Sequence, residues 1–227
     1  SKVEFKVIFE DKNIVVVNKP AGLQIHPSAQ NENNTLVNAL LDKFPEIRKV
    51  GEDPLRPGIV HRLDKDTSGV MIVARNQKSF DELKKKFKDR EVEKKYVALV
   101  HGHINPKSGV IKKPIARAST YKKQVIAGKK TKTKIRTAIT EYEVIWDVGD
   151  FDLVEVRPKT GRMHQIRVHL FSIGHPIVGD KLYKLKKYPL VSGIKRQLLH
   201  AKEISFELFD QKYHFRGPIP EYFMSML

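Results

Sequence analysis

Short apolar runs separated by polar turns occupy most of the chain, and they predict strands more often than helices. Val7–Phe9 and Ile14–Val17 flank a polar turn and so predict a hairpin. Further strands are predicted at Tyr96–Val100, Thr140–Trp146, Leu153–Val156 and Leu198–Phe209. Several of these strands are joined by short turns, and regular βαβ spacing is lacking. The pattern therefore predicts an α+β fold with a large mixed, mostly antiparallel sheet.

Helical spacing of apolar residues appears in three segments that would flank this sheet. Thr35–Phe44 is predicted as a helix capped by Asn34 and ended by Pro45. A second helix is predicted to begin at Ser79–Glu82, which has the residues of a capping box. The third, Arg162–Ile173, is ended by Gly174.

The stretch Arg56–Ala74 places a strongly charged loop between two apolar segments. Ile59-Val60 and Val70–Val73 predict strands on either side of it. His61–Asp66 brings together an imidazole, a guanidinium, an ammonium and two carboxylates. Loops on rigid scaffolds often carry function, although a charged surface turn would have the same residue types.

Arg167 has an unusual position on the third predicted helix. At about 100° per residue it lies on or beside the face that carries Met163, Ile166, Leu170 and Ile173. A guanidinium that faces a core or a cleft costs several kcal/mol unless an anion meets it. The helix therefore predicts a carboxylate partner for Arg167, unless the side chain extends to solvent.

Positive charge is the main signal of composition. Lys and Arg number 43 against 26 Asp and Glu, which leaves a net charge of +17. Such an excess favours a polyanionic partner, and we expect nucleic acid rather than a membrane, because no apolar run approaches about 20 residues. Much of the charge lies in Asn105–Thr137, which also contains Tyr121. We interpret this segment as a basic loop that contacts phosphates; a solvated insertion is the alternative.

The chain contains no cysteine. Disulfides, thiolate nucleophiles and Cys-ligated zinc are therefore excluded, and a reducing compartment, the cytoplasm, is expected. The first residues lack the apolar segment of a signal peptide. His101-Gly102-His103 and the pair His164 and His169 lack the pattern of a metal site, so we expect no metal and no organic cofactor.

Five motifs of the chain resemble those of the RluA-type pseudouridine synthases, which isomerise uridine to pseudouridine in ribosomal and transfer RNA. The strongest is HRLDKDTSG at 61–69. The other four follow the family's order and are NKPAGLQIHP at Asn18–Pro27, KKYVALVHG at Lys94–Gly102, RPKTGRMHQIRVH at Arg157–His169, and LLHA at Leu198–Ala201. Lys65-Asp66 and the preceding RPGIV look more like the branch that acts on large-subunit ribosomal RNA.

The resemblance implies roles for several residues. Asp64 would be the catalytic carboxylate, and Arg167 its partner. Tyr96 would stack under the uracil and be positioned for proton transfer at C5, although a core strand tyrosine would look the same. Arg62 would enter the RNA helix where the base was, unless it is an ordinary surface arginine. His61, Leu198 and Leu199 are further candidates for substrate binding.

The resemblance also implies a fold and a reaction. We expect the pseudouridine synthase fold with a central catalytic cleft, as a single catalytic domain over residues 1–227, without the small N-terminal S4-like domain of many relatives. The expected enzyme is a monomeric RNA uridine isomerase, with ribosomal RNA as substrate and transfer RNA as the alternative. A non-catalytic RNA-binding module and a base-releasing glycosylase remain open, and so does the covalent route.

Overall fold

The computed structural model describes residues 3–27, 33–120 and 123–227. Within these residues nine strands belong to one sheet, and two more form a separate pair. The strands are β1 (Lys6–Glu10), β2 (Ile14–Lys19), β3 (Ser68–Ala74), β4 (Glu93–His101), β5 (Ser108–Ile111), β6 (Ile115–Arg117), β7 (Gln124–Ile126), β8 (Thr140–Val148), β9 (Phe151–Pro158), β10 (Leu199–Leu208) and β11 (Gln211–Arg216). The α-helices are α1 (Leu36–Lys43), α2 (Gln77–Asp89), α3 (Gln165–Ser172) and α4 (Glu221–Met224), and a 3₁₀ helix covers Pro45–Lys49. Antiparallel strand pairs combined with helices make an α+β fold, as predicted from the sequence.

The chain divides into two compact units. Unit 1 contains the described residues up to Lys94 together with Ala201–Glu221. Unit 2 contains Lys95–His200 and Tyr222–Leu227. The division falls inside β4 and inside β10, so each of these strands contributes residues to both units.

Unit 1 is built from antiparallel pairs around an apolar core. β1 pairs with β2, β2 with β3, and β10 with β11. β3 is buried along its whole length, because it is apolar on both faces. α2 covers the sheet and contributes Phe80 and Leu83 to the core cluster that holds Ile72 of β3 and Phe206 of β10.

Gly69 allows β3 to approach β10 closely. Its φ angle is +122°, and a Cβ at this position would lie 2.2 Å from the carbonyl oxygen of Ala201. Only glycine fits such a position. The end of the motif HRLDKDTSG is therefore part of the sheet, and Ser68 begins β3.

Unit 2 contains a second set of antiparallel pairs, in which β4 pairs with β9, β9 with β8, and β8 with β5. β6 and β7 form the separate hairpin. α3 is buried from Gln165 to Leu170. Its Val168 lies in a core cluster with Ile115 of β6 and Tyr183.

Most predicted elements are present, but several boundaries differ. Ile59-Val60 is not a strand; Ile59 only forms an isolated bridge to Val73. α1 is capped by Thr35 rather than Asn34, because Thr35 is the residue whose hydroxyl meets the amide of Asn38. α2 begins earlier than predicted. The side chain of Asn76 accepts from the amide of Ser79 at 2.9 Å, so Ser79 lies inside the helix.

The basic segment 105–137 is more regular than the predicted loop. It contains β5, β6 and β7, and Ile115 exchanges two backbone hydrogen bonds with Arg136 at 2.9 and 2.8 Å. Tyr121 lies outside the described residues. None of the helices formed by the described part of the chain has the length and hydropathy needed to cross a membrane.

Candidate active site

The Asp64 loop, residues 61–67, leads directly into β3 of unit 1. Asp64 is half-buried, and its carbonyl oxygen accepts a hydrogen bond from the amide of Thr67 at 3.1 Å. Leu63 and Thr67 are buried on either side of it. Asp64 therefore stands on a backbone turn that is anchored at both ends.

A buried lysine fastens this loop to the end of β2. Lys19 is fully buried, and its ammonium donates to the carbonyl oxygens of Pro20, Leu23 and Lys65 at 2.9, 2.8 and 2.9 Å. The carbonyl of Lys65 also accepts from the amide of Gly22 at 2.9 Å. A buried charge is tolerated only when hydrogen bonds compensate its lost hydration, and these carbonyls supply them. The residue next to Asp64 is thus fixed from two directions.

His61 is directed into unit 1. Its Nε2 accepts a hydrogen bond from the amide of Ile72 at 2.9 Å, and its ring stacks on Phe87 with centroids 4.7 Å apart. Burial, and to a smaller extent the neighbouring charge of Lys94, lower the pKa of His61 to about 3. The neutral ring joins the start of the Asp64 loop to β3 and α2. A contact of His61 with substrate stays a prediction.

Arg62 is exposed, two residues before Asp64. It belongs to a positive cluster. The pKa of His26 is lowered first by burial and also by the charges of Arg56 and Arg62. An exposed guanidinium in such a cluster is available to an incoming anion.

Tyr96 lies in unit 2, on β4, where it pairs with Val156 of β9. Only 9% of its surface is exposed. The position fits both interpretations of this tyrosine, the ring under a base and the core residue of a strand. Its catalytic role stays a prediction.

Arg167 is buried in unit 2 and has a carboxylate partner, as its place on the helix predicted. Its Nε donates to Asp180 Oδ2 at 2.7 Å, and its NH2 group donates to Asp180 Oδ1 at 2.9 Å. Its guanidinium also lies over the ring of Tyr183, 5.1 Å from the centroid. Asp180 is a partner that the sequence analysis did not identify. The predicted pair of Arg167 with Asp64 involves the other unit and stays a prediction.

Leu198 and Leu199 are almost completely buried. Leu198 donates its amide to Val178 at 2.9 Å, and its carbonyl accepts from Leu99 at 3.1 Å. Unit 2 therefore holds Tyr96, Arg167, Leu198 and Leu199, while unit 1 holds His61, Arg62 and Asp64. A role of the two leucines in the wall of a substrate pocket stays a prediction.

Two residues that shape the site were missed because their partners are distant in sequence. Lys19 lies in the motif NKPAGLQIHP, and the next residue, Pro20, breaks the strand, so nearby backbone carbonyls need donors from elsewhere. Asp180 directly follows Gly179 and is 13 residues from Arg167. A lone acidic residue in a stretch rich in lysine was the available signal.

One cluster of possible metal ligands lies elsewhere in unit 2. Ligand atoms of His103, Asp147 and Asp152 lie within 4.8 Å of one another. His103 Nδ1 lies 2.9 Å from Asp152 Oδ1, and this hydrogen bond raises the pKa of His103. The acidic neighbours of His103 come from the β8–β9 hairpin, which explains why the sequence analysis found none. Within this cluster, His103 and Asp152 contact each other directly.

Comparisons with known proteins agree with the motifs of the chain. A family model described as RNA pseudouridylate synthase matches residues 13–172. The ribosomal large subunit pseudouridine synthase D of Borreliella burgdorferi is 36% identical over 94% of this chain and 66% of its own length. The protein of the same name from Zymomonas mobilis is 39% identical over 90% of this chain and 65% of its own length. The chain thus spans about two thirds of each of these relatives.

A solved structure shows the same architecture. The human RNA pseudouridylate synthase domain containing 1 superposes with a TM-score of 0.75, at 29% identity, and covers 95% of this chain and 83% of its own. The fold expected from the sequence is therefore confirmed.

Proposed function

The chain belongs to the RNA pseudouridylate synthase family, and from this premise we propose that it isomerises uridine to pseudouridine in RNA. The chain covers 66% and 65% of the length of the two relatives described above. The activity is therefore proposed for this part of the protein, which carries the Asp64 loop. The observation that carries the proposal is the Asp64 loop. Its backbone is immobilised by Lys19 and Gly22, as expected of a loop that must present one carboxylate accurately.

The reaction rearranges bonds within one nucleotide. The bond from N1 of uracil to C1′ of the ribose breaks, the base turns, a bond forms from C5 to C1′, and the proton of C5 leaves while N1 gains one. A carboxylate can assist by adding to the nucleotide or by helping to form an anionic intermediate. In this proposal Asp64 supplies the carboxylate, Arg167 keeps it ionised, and Tyr96 stacks under the uracil.

The base must first leave its stack, which costs a few kcal/mol. Arg62 is placed in this proposal as the cation that takes the position of the extruded base, and its exposure supports that role. Leu198 and Leu199 are placed in the pocket wall. These assignments come from the motifs of the family.

RNA is the proposed partner, with large-subunit ribosomal RNA as the substrate and transfer RNA as the alternative. The net charge of +17 supports a polyanion, and the names of the relatives refer to the ribosomal large subunit. Arg117 and Lys123 are exposed on the β6–β7 hairpin and are suited to phosphates. We further propose a monomer that acts in the cytoplasm.

The decisive experiment measures tritium release from ribosomal RNA labelled with 5-³H-uridine. Wild type and Asp66→Asn should release tritium, while Asp64→Asn should release none and still bind RNA. Asp66 is the matched control because it is a second carboxylate in the same loop. Equal release by wild type and Asp64→Asn would contradict the proposed role of Asp64.

The remaining outcomes separate the alternatives. Tritium release from transfer RNA but not from ribosomal RNA would change the proposed substrate and leave the proposed reaction unchanged. Free uracil among the products would indicate a glycosylase. Tight binding to both RNAs without release would indicate a non-catalytic binding module.

A further inference from the structure

Asp180 holds the guanidinium of Arg167 through a bidentate pair. The bidentate pair uses both carboxylate oxygens, and the side chain of Asp180 is fully buried. Oδ1 also accepts from the amides of Leu182 and Tyr183 at 2.9 and 3.0 Å. An arginine paired in this way cannot turn without breaking several hydrogen bonds at once.

The backbone beside Asp180 is equally restricted. Gly179 has a φ angle of +79°, and a Cβ there would lie 2.2 Å from the carbonyl oxygen of Arg196. Position 179 therefore admits only glycine, and the chain passes close to Arg196 directly before Asp180.

Tyr183 contacts Arg167 from a second direction and links it to the basic hairpin. Its ring lies under the guanidinium and packs in the cluster that contains Ile115 and Val168. Its hydroxyl accepts from the backbone amide of Gln124, the first residue of β7, at 2.8 Å. The same hydroxyl lies 3.0 Å from His164 Nδ1, at the start of α3.

We propose that Asp180 and Tyr183 are positioning residues, which set the direction of the Arg167 guanidinium and couple it to the β6–β7 hairpin. This inference rests on the proposed function, in which Arg167 acts on Asp64. RNA phosphates bound by Arg117 and Lys123 hold the hairpin, the hairpin holds Gln124, and the Tyr183 hydroxyl transmits that position to the arginine. RNA binding at the β6–β7 hairpin would thereby stabilise the orientation of Arg167 that the reaction requires.

The first test uses single-turnover tritium release at saturating enzyme, where the rate constant does not depend on the folded fraction. Tyr183→Phe keeps the ring and removes both hydroxyl contacts. It should lower the rate constant about tenfold and leave the Kd for RNA within about twofold. Asp180→Asn should lower it about 100-fold. Tyr188→Phe is the matched control, since it removes one hydroxyl from the same segment, and it should match wild type.

The second test distinguishes coupling from a purely structural role. The double variant Arg117→Ala/Lys123→Ala should lower the rate constant at saturation in the wild-type background, and should have no further effect in Tyr183→Phe. An equal loss in both backgrounds would overturn the inference. So would a rate constant for Tyr183→Phe that equals that of Tyr188→Phe. Absence of release by wild type would overturn the proposed function, and the inference with it.

Discussion

The ammonium of Lys19 lies 2.9 Å from the carbonyl oxygen of Lys65, and this contact joins the end of a buried strand to the residue after Asp64. The two lysines are 46 residues apart in sequence. The buried ammonium of Lys19 holds the backbone of the Asp64 loop. The side chain of Lys65 itself is exposed.

Replacing Lys19 should therefore damage both the fold and the reaction. Lys19→Met removes the ammonium from three carbonyl oxygens, of which that of Lys65 keeps the amide of Gly22, and the free energy of unfolding should fall by at least about 2 kcal/mol. Urea denaturation measures this loss, and tritium release should fall at least about tenfold. Lys12→Met, an exposed lysine of the β1–β2 turn, is the control and should change stability by less than about 0.5 kcal/mol. Equal behaviour of the two variants would contradict the prediction.

His61 should make unit 1 sensitive to acid. Its pKa is about 3 in the folded chain against an ordinary 6.5, so the unfolded chain takes up the proton first. The stability is fully present above about pH 6.5 and declines as the pH falls toward 3, by up to about 1.4 kcal/mol per unit. His61→Gln retains an acceptor for the amide of Ile72 and should flatten the decline of the urea midpoint between pH 7 and pH 4.5. Parallel curves for the two proteins would rule out His61 as the cause.

Arg167→Met should destabilise the protein as well as stop the reaction. It removes the partner of a buried carboxylate, Asp180, and such losses typically cost about 3–5 kcal/mol. Arg167→Lys keeps a charge but not the bidentate geometry, and should lose less stability while remaining slow. Calorimetry of the two variants against wild type checks this order. A melting temperature of Arg167→Met equal to that of wild type would show that Asp180 does not need the guanidinium.

His103 should contribute stability with the opposite dependence on pH. The hydrogen bond to Asp152 raises its pKa, so the contribution is fully present below about pH 6.5 and is lost as the pH rises through the raised value of the folded state. His103→Gln should lower the melting temperature slightly at pH 6 and leave it unchanged at pH 9. The effect is small because His103 is exposed. A difference that persists at pH 9 would indicate packing rather than charge.

RNA binding should weaken steeply with salt. If about 5–8 phosphates are contacted, the logarithm of affinity should fall with the logarithm of salt concentration with a slope of several units. The variant Arg117→Ala/Lys123→Ala should reduce that slope by about two. Filter binding over a range of KCl concentrations measures both slopes. A slope unchanged by the double variant would remove the β6–β7 hairpin from the RNA contact surface.

The sequence alone identified the elements whose signals are local. The apolar alternation of β8 and β9 and the helical spacing of α1 reflect side chains that choose a face within a few residues. Asp64, Arg62, Tyr96 and Arg167 were recognised because their neighbours in sequence form the family's motifs. The demand of Arg167 for a carboxylate also followed from the sequence, because a buried guanidinium requires one wherever it occurs.

Only the tertiary structure decided which group pairs with Arg167, and which groups pair with other polar atoms of the site. Asp180 reaches Arg167, Lys19 reaches Lys65, and Gln124 reaches Tyr183 over 13, 46 and 59 residues. Such contacts depend on strand order and on chain reversals that leave no periodic mark in the sequence. The same reason explains the basic segment, in which β5 and β6 gain their regularity by pairing with β8 and β7 rather than from their own residues.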